Sequence, residues 1–129
     1  MLKLKSIHHL AIICSDYNVS KHFYTEILGL RILNEVYRAD RNSYKLDLLV
    51  NGKYQIELFS FPNPPGRVSR PEARGLRHFA FEVDKLVESV LELKAKGVIT
   101  EEIRLDELTG KKFVFFPDPD GLPIELYES

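Results

Sequence analysis

Apolar residues along this chain fall into short runs of two periods, and the two periods alternate. Residues 7–14 form a dense, β-branched apolar run of strand length. Ser15 or Asp16 then offers a side-chain oxygen to an orphan backbone N–H at a helix start. The spacing predicts that helix over residues 17–28, with Val19, Phe23 and Ile27 on its inner face. Gly29 suits the left-handed position just past its end. Strand-like runs follow at 31–37, 44–50 and 54–61. Asn51-Gly52, between the last two, predicts a tight hairpin, because both central positions of a type I′ turn require positive φ.

After residue 75 the same grammar begins again. A strand is predicted over 78–83, Asp84 as a cap, and a helix over 85–96 with Leu86, Val90, Leu91 and Leu93 inward and Gly97 as its stop. Strands at 98–105, 112–116 and 123–127 complete the series, with Asp118-Pro119-Asp120-Gly121 as the last turn. The pattern is that of an α+β protein of two tandem βαβββ modules, 1–61 and 76–129, joined by a connector at 62–75 rich in proline and arginine and forming one domain overall. Counting positions tests the repeat. His9 to Gly29 is 20 positions and His78 to Gly97 is 19, while His9 to Glu57 is 48 and His78 to Glu125 is 47. Ile56-Glu57-Leu58 matches Ile124-Glu125-Leu126, and His9-Leu10-Ala11 matches His78-Phe79-Ala80.

Composition narrows the functional classes. A chain of 129 residues builds one compact domain, or two small modules around a shared core. With 44% hydrophobic and 29% charged residues it reads as an ordinary globular protein. Eighteen basic against nineteen acidic residues give no bias toward nucleic acid or anionic membranes. The single cysteine, Cys14, closes no intrachain disulfide, supplies no thiolate metal motif and is expected to be buried and inert. No stretch has the length and apolarity of a signal peptide or membrane span, so the expected location is cytoplasmic.

The repeat also places one histidine and one glutamate at equivalent points of each module: His9 and Glu57, then His78 and Glu125. A lone glutamate on an amphipathic strand ordinarily points to water, but Glu57 and Glu125 each sit between large apolar residues. Metal coordination is one of the few ways to make a buried carboxylate tolerable there. Two imidazoles and two carboxylates without a thiolate suit Ni, Co, Mn, Fe or Zn, and leave two octahedral positions for water or substrate. Elsewhere, Arg67, Arg70 and Arg74 in the connector can meet a carboxylate or phosphate through bidentate guanidinium contacts. His8 and His22 read as surface or packing residues. Phe59, Phe61, Phe79, Phe81, Phe113 and Phe115 read as core and pocket wall.

His8-His9-Leu10-Ala11-Ile12, Phe23-Tyr24-Thr25-Glu26-Ile27-Leu28-Gly29, Ile56-Glu57-Leu58, Arg77-His78-Phe79-Ala80-Phe81 and Asp118-Pro119-Asp120-Gly121 before Ile124-Glu125-Leu126 together span nearly the whole chain. In these motifs the sequence resembles the vicinal-oxygen-chelate superfamily of glyoxalase I-like proteins, fosfomycin-resistance enzymes, methylmalonyl-CoA epimerases and extradiol dioxygenases, and within it the YaeR-like bacterial branch. The resemblance implies a curved mixed sheet around one divalent ion held by His9, Glu57, His78 and Glu125. It implies a homodimer acting on a small molecule with neighbouring oxygens through an enediolate-type intermediate, as a lyase or isomerase, with Glu125 and Glu57 as candidate proton carriers. The family's arginine four positions before the second histidine is kept as Arg74, which the resemblance assigns to an anionic substrate group. Its glutathione-contacting arginine and asparagine fall here on Ile13 and Phe61, which argues against lactoylglutathione lyase activity. The alternatives are a metal-dependent dioxygenase, although such a site needs only three protein ligands, a fosfomycin-type transferase, or a non-enzymatic protein that binds an antibiotic or metabolite.

Overall fold

Alternating side-chain direction along strands decides which residues the sheets bury. The computed structural model describes every residue from Met1 to Ser129, in two units, Met1–Pro65 and Gly66–Ser129. Each unit contains one four-stranded mixed sheet. In the first, β1 (Leu10–Cys14), β2 (Arg31–Arg38), β3 (Ser43–Val50) and β4 (Lys53–Ser60) lie in the order β1-β4-β3-β2, with β1 parallel to β4 and the other pairs antiparallel. In the second, β5 (Phe79–Val83), β6 (Arg104–Leu105), β7 (Lys112–Pro117) and β8 (Pro123–Glu128) repeat the plan as β5-β8-β7-β6.

Even-numbered residues of β1, β3, β4, β7 and β8 make the core of their sheets, while in β5 the odd-numbered Phe79 takes that place. Ile12, Cys14, Leu46, Leu48, Ile56 and Leu58 are buried in the first unit, and Val114, Phe116, Ile124 and Leu126 in the second. Leu48 pairs with Ile56 and Leu46 with Leu58, as Val114 does with Leu126. On β4 and β8 the odd-numbered residues, Glu57 and Glu125 among them, are thereby turned to the opposite face. The predicted hairpin forms, with Asn51 at φ 49° and Gly52 at φ 77°.

Both helices differ from expectation in instructive ways. The first is an α-helix, α1 (Tyr17–His22), that passes into a π-helical turn over Phe23–Ile27, closed by Leu28 N–H on the Phe23 carbonyl at 2.9 Å. Asp16 is the cap, accepting from Val19 N–H at 3.1 Å. The buried face is Ser20, Phe23 and Tyr24, at the i, i+3, i+4 spacing of one helix face, and Val19, one position off that face, is 51% exposed. In the second unit α2 (Leu86–Ala95) packs on β7 and β8. Its first N–H is satisfied from a distance, by Glu128 of β8 at 2.9 Å, while Asp84 accepts from Ser129 and caps nothing. Leu86, Val90 and Leu93 are buried as predicted, but Leu91 lies 61% exposed on the outer face. The strand expected at 98–105 shortens to β6, since Gly97 (φ 83°) and Val98 are engaged in closing α2, Val98 N–H reaching the Leu93 carbonyl at 3.0 Å. No helix is long and apolar enough to cross a membrane.

Glu35 of β2 ties that strand to α1. It accepts from Lys21 Nζ at 2.7 Å and from the Tyr17 hydroxyl. The Lys21 hydrogen bond, followed by that of Tyr17, holds its carboxyl below the usual glutamate value. A lowered folded-state pKa means the unfolded chain binds the proton more readily, so this contribution is complete above the ordinary glutamate range and disappears as pH falls through the folded value. Thermal melts between pH 3 and pH 7, the acid range in which carboxylates titrate, should therefore show a shallower acid decline of Tm for Glu35→Gln than for the wild type. Parallel curves would remove Glu35 from the acid response.

Candidate metal centre

Glu57 lies between Ile56 and Leu58, which the core takes, so its own side chain emerges on the other face of β4 beside Ala11 and Asp47 in register. β1 begins at Leu10, one residue later than His9, and β5 at Phe79, one later than His78, so each histidine precedes its strand instead of lying within it. Two-residue alternation still puts His9 on the face of Ala11. His9 Nε2 stands 3.5 Å from Glu57 Oε1. The second unit repeats this: Glu125 pairs with Ala80 and Phe115, and His78 Nε2 stands 3.7 Å from Glu125 Oε1.

These separations fit an ion. Both exceed a good N–H···O hydrogen bond of about 2.7–3.2 Å. Both are shorter than two metal–ligand bonds of about 2.0–2.2 Å laid end to end, a separation that a single ion can span. Glu57 is only 9% exposed, where an uncompensated carboxylate is costly. Each unit supplies two such donors, and no group of three or more histidine, cysteine, aspartate or glutamate side chains is placed to hold an ion. A half-site with two ligands falls short of the three or four that stable protein sites use.

The half-sites differ in their surroundings. Glu57 Oε2 accepts from the Tyr54 hydroxyl and lies 3.6 Å from Lys45 Nζ. Tyr54 also reaches Asp47 at 3.1 Å, and Lys45 donates to Asp47 at 2.6 Å. Burial, then the bonds to Glu57 and Asp47, push the Tyr54 phenol far above its usual range, so it stays a donor at all ordinary pH. The Asp47 hydrogen bond foremost raises Lys45. One oxygen of Glu57 is thus held by protein and the other is turned to His9. In the second unit Phe115 occupies the position of Asp47, its ring edge-to-face with His78 at 4.8 Å. Glu125 receives no comparable hydrogen bond.

Sequence reasoning missed Lys45, Asp47 and Tyr54. The available signal was an aspartate inside the apolar run Leu46-Asp47-Leu48, at a strand position that faces away from the core. It also set His8 aside, whereas His8 Nδ1 lies 2.8 Å from His9 Nδ1. With His9 as donor in that pair, its Nε2 lone pair is the one presented to Glu57. A cavity of about 430 Å³ in the second unit is lined by Arg67, Arg70, Arg77, Arg104, His78 and Phe115 among others. Arg74 is exposed and is not part of its wall.

A profile of the Glyoxalase/Bleomycin resistance protein/Dioxygenase superfamily matches residues 6–126. The chain belongs to this superfamily. Among its glyoxalase-superfamily relatives, YwkD of Bacillus subtilis is 64% identical across 97% of this chain and 98% of its own length. YaeR of Escherichia coli is 59% identical across 99% of both. The crystal structure of the glyoxalase family protein from Enterococcus faecalis shares 48% identity, with a TM-score of 0.88 over 96% of this chain and 98% of that one. More distant members are the metallothiol transferase FosB of Staphylococcus saprophyticus, 31% identical over 96% of this chain and 77% of its own, and human mitochondrial methylmalonyl-CoA epimerase, 27% identical over 98% and 75%.

Removing the Tyr54 hydroxyl isolates the support given to Glu57. Tyr54→Phe should weaken metal binding about 10- to 100-fold, the usual effect of losing an outer partner of a ligand, with the fold unchanged. Competition against a chromogenic chelator measures this. An affinity equal to wild type would show that the hydroxyl does not orient Glu57.

Proposed function

We propose that this protein is a divalent-metal-dependent lyase or isomerase for a small substrate with two neighbouring oxygens, in which His9, Glu57, His78 and Glu125 hold one ion. The matched histidine–glutamate pairs, at 3.5 and 3.7 Å, carry the reading. The donor set suits Ni, Co, Mn, Fe or Zn. When bound, the ion supplies Lewis acidity against negative charge developing on the substrate's oxygens.

The protein's own groups divide the remaining work. Glu57, anchored by Tyr54 with Lys45 close by, serves as a fixed ligand. Glu125, free of such anchors and beside the Phe115 ring, is the carboxylate able to take a proton from the carbon next to a substrate carbonyl and return it to the neighbouring carbon. Phe115 limits water at that position. An epimerase among the superfamily relatives supports an isomerase reading, and a metallothiol transferase at 31% identity favours group transfer as the second one.

The metal-loaded protein, incubated in deuterium oxide with hemithioacetals of α-ketoaldehydes and with epimerisable thioesters, should catalyse solvent deuterium incorporation at the carbon adjacent to the carbonyl. Absence of exchange, with thiol addition to an epoxide instead, would replace this reading by the transferase one.

We further propose a cytoplasmic homodimer, in which each half-site is completed by another. Mixing His9→Ala with His78→Ala chains separates the two ways of completing it. If a site takes one half from each of two copies, hybrid dimers contain one intact and one doubly altered site, so purified hybrids regain half of the wild-type metal capacity. If each chain completes its own site, mixing restores nothing.

A further inference from the structure

We propose that the arginine-lined cavity of the second unit binds the anionic head of the substrate, a carboxylate or phosphoryl group, beside His78, whose Nδ1 lies 3.2 Å from Arg77 Nη1. This rests on the metal-site reading above and specifies its substrate class.

Four guanidiniums line the cavity, Arg67, Arg70, Arg77 and Arg104, against two carboxylates, Glu72 and Glu101. Arg77 pairs with Glu72 at 2.8 Å and Arg104 with Glu101 at 3.6 Å. Arg67 differs, because all its partners are neutral. Its Nε donates to Ser69 Oγ at 2.8 Å, and its Nη2 to the carbonyls of Leu76 and Arg77 at 2.6 and 3.0 Å. Those bonds fix the guanidinium in place without cancelling its charge, and Nη1 keeps its two donors. Arg70 has no carboxylate within ion-pairing distance. The lining therefore carries an excess of positive charge on side chains, one of them already held in position, which reduces the ordering cost of binding an anion.

Every cation here is arginine, whose planar fork engages two oxygens of a carboxylate or phosphoryl group at once. The Arg104 guanidinium sits over Phe113 and Phe115, at 5.1 and 5.6 Å from their ring centres, in cation–π contact with both. His78 and Phe115 also belong to the wall, so one ligand can reach from the guanidiniums to the candidate metal ligand. A cavity of about 430 Å³ is of the size that holds small metabolites. The substrate inferred is thus a small molecule with a negative group at one end and neighbouring oxygens at the other.

Nuclear magnetic resonance titration of the full chain with inorganic phosphate, and separately with acetate, tests this. At least one anion should saturate shifts among the amides of residues 67–77 and 104. Arg70→Ala and Arg104→Ala should each weaken that binding about tenfold or more, as expected for loss of a charge-assisted contact. Arg74→Ala, off the wall, should leave it unchanged. Which anion binds more tightly identifies the head group. Shifts that fail to saturate with both anions, or equal affinity in the Arg70 and Arg104 variants, would overturn the proposal. Metal content of the same samples keeps the two readings apart: anion binding at these arginines in protein that takes up no metal sustains the cavity and removes the metal site.

Discussion

With His78 as one of four ligands, as proposed, His78→Ala is expected to abolish metal uptake. Untagged wild-type protein exposed in turn to Ni, Co, Mn, Fe and Zn should retain close to one ion per chain or per completed site, and the variant should fall to background in elemental analysis. Loss of an outer partner alone costs roughly 10- to 100-fold in affinity, so loss of a ligand should exceed about 100-fold. The fold should survive. His78 precedes β5, its ring contacts Phe115 at the side of the sheet away from α2, and the core residues Val114, Ile124 and Leu126 are untouched. A far-ultraviolet spectrum equal to wild type, with the metal gone, is the expected pair of results. A variant that keeps its metal would place the site elsewhere.

Glu125→Gln is expected to separate proton transfer from metal binding. The amide retains an oxygen for coordination but has no lone pair of comparable basicity, so kcat for deuterium exchange should fall by about 10²- to 10⁴-fold with KM little changed. Metal content should drop less than in His78→Ala. Glu57→Gln should show the reverse balance. Its carboxylate is held by Tyr54 and lies near Lys45, and an amide presented to that hydroxyl disrupts the anchor, so metal retention should decline more steeply than turnover of the loaded enzyme. Equal loss of kcat in the two variants would refute the division of roles between the carboxylates.

Much of this arrangement was legible beforehand because repetition and alternation are both sequence properties. The spacing of His9 from Glu57 and of His78 from Glu125 identified the two pairs, and the Ile-Glu-Leu triplets indicated which way the carboxylates face. Tertiary and backbone effects were less visible. Leu91 has the right chemistry for a core helix position, but α2 presents only Leu86, Val90 and Leu93 to its sheet. Asp84 looks like a cap until Glu128, 42 residues on, takes the α2 amide. The support around Glu57 depends on strand register, which pairs Asp47 with Glu57 and brings Lys45 within reach, and a register cannot be counted along one strand. The cavity likewise gathers Arg67 and Arg70 with Arg104, far apart in sequence, while the motif position Arg74 stays outside.

The π-helical turn explains the single position by which the two halves disagree. From His9 to Asp16 and from His78 to Lys85 the chain counts the same 7 positions, and from Gly29 to Glu57 and Gly97 to Glu125 the same 28. The surplus residue therefore lies wholly inside the first helix, where Phe23–Ile27 adopts the wider turn. A helix can absorb one inserted residue as such a bulge and resume its ladder beyond it, whereas an insertion that shifts a strand's register turns every side chain beyond it to the other face. An extra residue in β4 that shifted its register would exchange the faces of Glu57 and Ile56. Placed in the helix, the surplus residue leaves the Gly29-to-Glu57 spacing equal to that from Gly97 to Glu125, so the helix takes up the difference as an expansion joint does.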